Sequence, residues 1–187
     1  AMVAIDLLEA KTASRSTCHT GYVPDIPIVD TRAETGYLYG ILDTGCNSSV
    51  CGTEWVKRAG GVMAWHGLGM VWAEKSGYDY GGLSGANTAQ MVGKIGWCMV
   101  VLAQAPDGRG LPKYLGMETN VVDGSCDLLI CLALMRHAKI TFDPVANECW
   151  MLNARGDKCP LPWYQVDRSG LPCIRIDEFL EAEQAMR

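Results

Sequence analysis

A chain of 187 residues can bury one full core, and with 49% hydrophobic and 20% charged residues most of it is expected to fold. The net charge of −5 argues against nucleic acid as a main partner, because phosphate binding needs clustered Lys and Arg. No run approaches the ~20 apolar residues of a membrane span, and the amino-terminal segment has acidic residues inside its apolar part and no basic lead, so neither a membrane partner nor a secretory signal is expected.

In chain order, residues 3–13 carry Val3, Leu7, Leu8 and Ala10 on one side and read as a short amphipathic helix. "GYVPDIPIVDTRAETG" holds two prolines and reads as an extended edge segment or linker. Tyr37–Leu42 is a strand. Thr53 is placed to cap a short helix through Ala59, with Gly60-Gly61 as its stop. Residues 62–77 give no clear pattern. "YDYGGLSGANTAQ" reads as a hairpin tip, since Gly81, Gly82 and Gly85 supply the positive φ of tight turns. Ile95–Ala103 and Tyr114–Val122 form a strand pair about the turn "APDGRG". Asp127–Ile130 is a short buried strand, and Leu132–His137 one or two helical turns. Lys139–Asp143 and Cys149–Leu152 flank the turn "PVAN", and Asp177–Met186 is an acidic amphipathic helix.

This is a mainly β chain: short strands, Gly- and Pro-bearing turns and two small helices, which fits a small antiparallel barrel or sandwich over residues 36–152. Residues 1–35 and 153–187 stand outside it as amino- and carboxy-terminal extensions, the latter with a short helix.

Nine cysteines at irregular spacing, with no CxxC pair, read as buried free thiols in a reducing, cytoplasmic compartment; neither a metal nor a cofactor is expected. Cys18-His19 lacks a second ligand pair. The histidines His19, His66 and His137 accompany no nucleophile motif, and "GGLSGAN" is not followed by the Lys-Ser/Thr of a phosphate loop.

One stretch asks for more explanation. "GYLYGILDTGCNSSVCG" ends a hydrophobic strand on Asp43, although an unpaired buried carboxylate costs several kcal/mol, about what a few good contacts supply. By itself Asp43-Thr44-Gly45 reads first as a plain turn after a strand. Three further features accompany it: the apolar strand, short helix and acid-ended strand of "CDLLICLALMRHAKITFDP", the aromatic, Gly-rich "YDYGGLSG", and the paired strands "KIGWCMVVLA" and "LPKYLGMETNVV".

Together these resemble the retropepsin-like aspartic proteases of retroviral and retroelement type, with one Asp-Thr-Gly per chain. The resemblance covers roughly residues 36–152. It implies a small closed antiparallel acid-protease barrel, with Asp43, Thr44 and Gly45 as catalytic triplet. It also implies substrate contacts from Cys46 and Asn47 beside it and from Tyr78, Tyr80, Gly81 and Gly82 in a flap. Two carboxylates about 3 Å apart share one proton, so one can deprotonate a water while the other protonates the leaving nitrogen. The chain has no second Asp-Thr-Gly: Asp30-Thr31-Arg32 lacks the glycine, and Asp123-Gly124-Ser125 has the wrong order. The second carboxylate is therefore expected from a second copy, in a homodimer that hydrolyses a peptide or polyprotein. Two departures stand out. The family's Gly-Arg brace is replaced by Cys131-Leu132, with Arg136 four residues on, and Cys46 replaces a small residue after the triplet. An inactive retropepsin-fold module for dimerisation or peptide binding is the other reading.

Overall fold

A strand that is apolar along its whole length is expected to be covered on both faces, and the sheet is built that way along residues 38–42, up to Asp43. The computed structural model describes residues 26–33, 36–73, 79–84 and 87–186, with backbone alone for 79–84 and 87–88. In chain order the elements are β1 (Ile28–Val29), β2 (Tyr39–Asp43), β3 (Val50–Gly52), α1 (Thr53–Trp65), β4 (Val71–Ala73), β5 (Asp79–Ser84), β6 (Asn87–Gln104), β7 (Gly110–Val122), β8 (Leu129–Cys131), α2 (Leu132–Ala138), β9 (Ile140–Asp143), β10 (Glu148–Leu152), β11 (Lys158–Pro160), β12 (Tyr164–Val166), β13 (Pro172–Arg175) and α3 (Phe179–Ala185). The expected helix over 3–13 lies outside the described residues.

The chain is mainly β. One large sheet runs β1-β12-β13-β2-β8-β3-β7-β6-β4, with β5 paired to β6, and β11-β10-β9 form a smaller sheet. Most pairings are antiparallel; β1 with β12, β2 with β8 and β3 with β7 are parallel. Among the described residues no ladder joins β1 to β4. A single bridge does link Val100 of β6 to Asp177, just after β13: Val100 N–H donates to Ile176 O (2.9 Å) and Glu178 N–H to Val100 O (3.3 Å).

Side-chain alternation explains the unbroken apolar run of β2. Leu38 and Leu42 enter the main core with Trp55, Met63, Ile95 and Ile130, while Tyr39 and Ile41 enter a smaller cluster with Val166 and Cys173. Gly40 interrupts the run because a Cβ there would strike the side chain of Ile130.

Three sequence expectations are corrected. The helix from Thr53 does not stop at Gly60-Gly61 but continues to Trp65, and Thr53 forms no side-chain cap. Two helical glycines cost about 1 kcal/mol each, less than the burial of Trp55 and Met63, at about 2–3 kcal/mol each, restores. Thr53 instead accepts from Gly124 N–H (3.1 Å) and donates to Asp123 Oδ1 (3.3 Å), tying α1 to the loop before β8. Second, the central hairpin is longer than the apolar pattern suggests. A ladder runs from Gln104 opposite Gly110 to Met91 opposite Val122, and its hydrogen bonds carry Gly93, Gly96 and Gly116 through. Third, the carboxy-terminal helix begins at Phe179, because Asp177 and Glu178 are engaged with β6.

Residues 153–187 contribute three strands and α3, and β13 lies directly against β2, with Cys173 opposite Ile41. The proline-bearing segment 26–33 supplies edge strand β1 beside β12, and it is held by Arg58 Nη2 donating to Thr31 O (2.7 Å) and by an Arg32–Asp127 pair (3.2 Å). No helix among the described residues is long and apolar enough to cross a membrane.

Candidate active site

Asp43 is the last residue of β2, in parallel register with Cys131 of β8. By alternation it falls on the face of Tyr39 and Ile41, where the strand leaves its cover, and its side chain is half-buried. Its Oδ1 accepts from Gly45 N–H (2.9 Å), and its carbonyl accepts from Cys46 N–H (3.3 Å), so the carboxylate is fixed by its own turn. Among the described residues no ion pair involves Asp43. Thr44, Gly45 and Asn47 are exposed beside it.

The rest of the loop is fastened down. Ser49 is buried and its Oγ accepts from Cys131 N–H (3.3 Å), while Ser48 Oγ accepts from Asn120 Nδ2 (3.1 Å) and Ser49 O from Asn120 N–H (3.0 Å). Ser48, Ser49 and Asn120 thus position the loop against β7 and β8. The sequence signal for them was the hydroxyl-rich run after the triplet; the Asn120 partner, some seventy residues away, had none. At the end of β3, Gly52 has no room for a Cβ, which would strike Gly124 O and Cys126 N, and its N–H donates to Cys126 O (2.7 Å).

The thiols beside Asp43 are not poised as nucleophiles. Burial raises the Cys46 pKa, the Asp43 charge adds to it, and its Sγ–H donates to Ser48 O (2.7 Å). Burial also holds Cys126 up at about 11 and Cys51 higher still. Every cysteine among the described residues is a free thiol, and among those residues no three His, Cys, Asp or Glu side chains are grouped to hold a metal.

A cavity of about 570 Å³ lies against Ile41 and Leu129, one step along the face that carries Asp43. Val122, Ala89, Arg32 and Asp127 also line it; Asp43 does not. Ala89 belongs to the hairpin in which β5 pairs with β6, with Tyr80 opposite Ala89 and Ser84 opposite Asn87. The base of that hairpin is fixed by Asp123 N–H donating to Gln90 O (3.0 Å). Tyr80, Gly81 and Gly82 are on β5, their side chains outside the description, and Tyr78 lies outside the described residues altogether. His66 ends α1 against Phe179 (4.9 Å between rings), and His137 and Arg136 are exposed on α2.

No protein-family model matches the sequence, and no curated protein matches it. Among solved structures the chain is similar to the retroviral protease-like domain of Ddi1 from Leishmania major. The two are 15% identical, with 66% of this chain and 89% of that one covered, at a TM-score of 0.36.

Proposed function

We propose that this chain is an aspartic endopeptidase, active as a homodimer in which the Asp43 carboxylates of two copies meet and activate a water. One observation carries the reading: Asp43 stands at the open end of a central strand, held by Gly45 N–H, without a counter-charge among the described residues and with Thr44 and Gly45 exposed next to it. A structural carboxylate in a sheet this apolar would be paired or capped inwards. This one is presented outwards, and two such groups brought together share a proton and divide the roles of base and acid. Gly45, with only Asp43 Oδ1 near where its Cβ would be, leaves space for a partner loop.

In this reading the β5–β6 hairpin serves as flap over the substrate, and Tyr78, Tyr80, Gly81, Gly82, Cys46 and Asn47 are its proposed substrate contacts. The Val100–Asp177 bridge supports closure of the sheet into a small barrel through residues 172–178. The substrate class is an extended polypeptide, such as a retroelement polyprotein, in a reducing cytoplasmic compartment.

A catalytically silent peptide-binding or dimerisation module is favoured by a separate observation. Cys131 occupies the register position opposite Asp43, and Arg136, the first arginine after it, is exposed on α2 with no hydrogen bond or ion pair to the loop among the described residues. Incubation with an apolar peptide library at pH 4–6, with and without pepstatin, separates the two. Cleavage that pepstatin blocks, and that falls on dilution in step with dimer measured by sedimentation, supports the protease. Full activity in a monomeric sample places the second acid within one chain, and no cleavage by a demonstrated dimer leaves the silent module.

A further inference from the structure

The opposite end of β2 holds a second cavity. Six residues of extended chain separate Tyr37 from Asp43, roughly 20 Å at about 3.3 Å per residue. The cavity measures about 470 Å³ and is walled by Tyr37, Trp65, His66, Arg175, Asp177 and Glu181, with Val62 and Leu180 as apolar floor. Its polar groups form a graded set. Asp177, 2% exposed, pairs with Arg175 Nε (2.9 Å), and Arg175 Nη1 donates to Glu181 Oε1 (2.8 Å), with the guanidinium 4.1 Å from the Tyr37 ring centre. One guanidinium thus faces two carboxylates, and the outer one, Glu181, is the surplus charge at 39% side-chain exposure.

Two features of this set lack a purpose within the chain. Among the described residues Glu181 Oε2 has neither a hydrogen-bond partner nor solvent contact, although a carboxylate oxygen accepts up to two bonds and an enclosed, unsatisfied one is costly. Trp65 is 84% exposed at the end of α1, so an indole face stands open at the cavity wall. Surplus negative charge beside an open aromatic face is the arrangement that receives an organic cation.

We propose that this cavity binds a ligand carrying one cationic nitrogen on an apolar stem, as at the end of an arginine or lysine side chain or in a free aliphatic amine. The stem lies along Val62 and Leu180, the cation over Trp65, and the Glu181 carboxylate turns about its soft terminal torsion, exchanging its Oε1 bond to Arg175 for one to the ligand cation. The site rests on none of the residues assigned to peptide cleavage, so it holds whether or not Asp43 is catalytic.

Titration calorimetry and Trp fluorescence on the full chain test it, with agmatine, N-acetyl-arginine amide, N-acetyl-lysine amide and the neutral N-acetyl-norleucine amide. The cations are expected to bind at least tenfold more tightly than the norleucine amide. Trp65→Ala and Glu181→Gln should each weaken them about tenfold, and Asp43→Asn should leave binding unchanged. Tighter binding of the capped amino acids than of agmatine assigns the site to a polypeptide side chain; the reverse assigns it to a free amine. Equal binding of the norleucine amide, or no binding of any cation at millimolar concentration, overturns the proposal. Because Trp65 is exposed, a folded Trp65→Ala that binds like the parent overturns it as well.

Discussion

The two ends of β2 deal with carboxylates in opposite ways. At the start of the strand Asp177 and Glu178 are buried and answered from within the chain: Asp177 by Arg175, and Glu178 by Leu102 N–H, which donates to its Oε2 at 2.7 Å. At the finish Asp43 is half-buried and, among the described residues, answered only by its own turn. The buried pair is complete as it stands, and its role is to fasten β13 and α3 to β6. The outer carboxylate has no such partner among the described residues, and the proposed function would supply one from a second copy and a water. Burial and the raised Asp177 and Glu178 pKa values thus accompany pairing within the chain, so under the proposed function the chemistry lies at the other end of this strand.

The hardest break comes from swapping the charge at each end. Asp43→Asn keeps volume and the Gly45 hydrogen bond but removes the acid–base group, so peptide cleavage should fall by about 10²–10⁴-fold with an unchanged thermal melt. A melt that drops by several degrees would mean that Asp43 is structural after all. Arg175→Met does the converse. It strands Asp177, which is almost fully enclosed, and should cost about 3 kcal/mol in denaturant unfolding while the per-molecule cleavage rate of the folded fraction stays level. If the loss in rate exceeded the loss in folded protein, the two ends would be coupled through β2.

A pH series sharpens the same contrast. Burial pushes Glu178 from 4.5 up to about 7, against the Leu102 N–H and Arg175, which favour its charged form. Burial likewise raises Asp177. Between these values the folded state holds a proton that the unfolded chain has released, so stability is full below about 4.5 and is lost as pH rises towards 7. With allowance for residual solvent screening, the loss should be about 2 kcal/mol. Glu178→Gln should flatten that slope in urea unfolding at pH 4.5 and 7.5; an unaltered slope would assign the titration elsewhere.

Legibility in the sequence followed the same division. The local layout at the Asp43 end was readable because it is short-range: a strand, an acid, then a Thr-Gly turn, with the hydroxyls of Ser48 and Ser49 close behind. Its neighbours β8, α2, β9 and β10 could be read from short apolar runs and the turn at 143–147, where Asp143 Oδ1 accepts from Val145 N–H (2.9 Å) and Ala146 N–H (3.0 Å). The structural end was not legible. Segment 153–187 looked like an appendage because "LPCIRIDEF" has no long periodic run, yet Cys173, Ile174 and Ile176 are fully buried against β2 and the main core. Such burial depends on a partner strand more than a hundred residues away, and no local pattern encodes it. The helix α1 failed for a related reason: propensity stops it at Gly60-Gly61, whereas tertiary burial of Met63 carries it on.

The smallest effect is expected where charge pairing is closest in sequence and most exposed. In the turn between β6 and β7, Arg109 Nη2 lies 2.6 Å from Asp107 Oδ2, a shorter contact than any Arg175 makes, yet both side chains are largely in water. The Arg109 guanidinium lowers the Asp107 pKa, so this pair is present at neutral pH and is lost only in acid, the opposite sense to Glu178. Water screens its attraction, and holding two long side chains together costs rotamer entropy. The turn is also held without it, by Ala105 N–H donating to Arg109 O (2.8 Å), Gly108 N–H to Ala105 O (2.9 Å) and Arg109 N–H to Asp107 Oδ1 (3.1 Å). Arg109→Ala should therefore leave the melting temperature within error at both pH 4.5 and pH 7.5. Side by side with Arg175→Met, it tests whether enclosure or contact distance decides what an ion pair is worth in this sheet. A shift for Arg109→Ala comparable to that for Arg175→Met would give the answer to distance, and the contrast between the two ends of β2 would lose its physical basis.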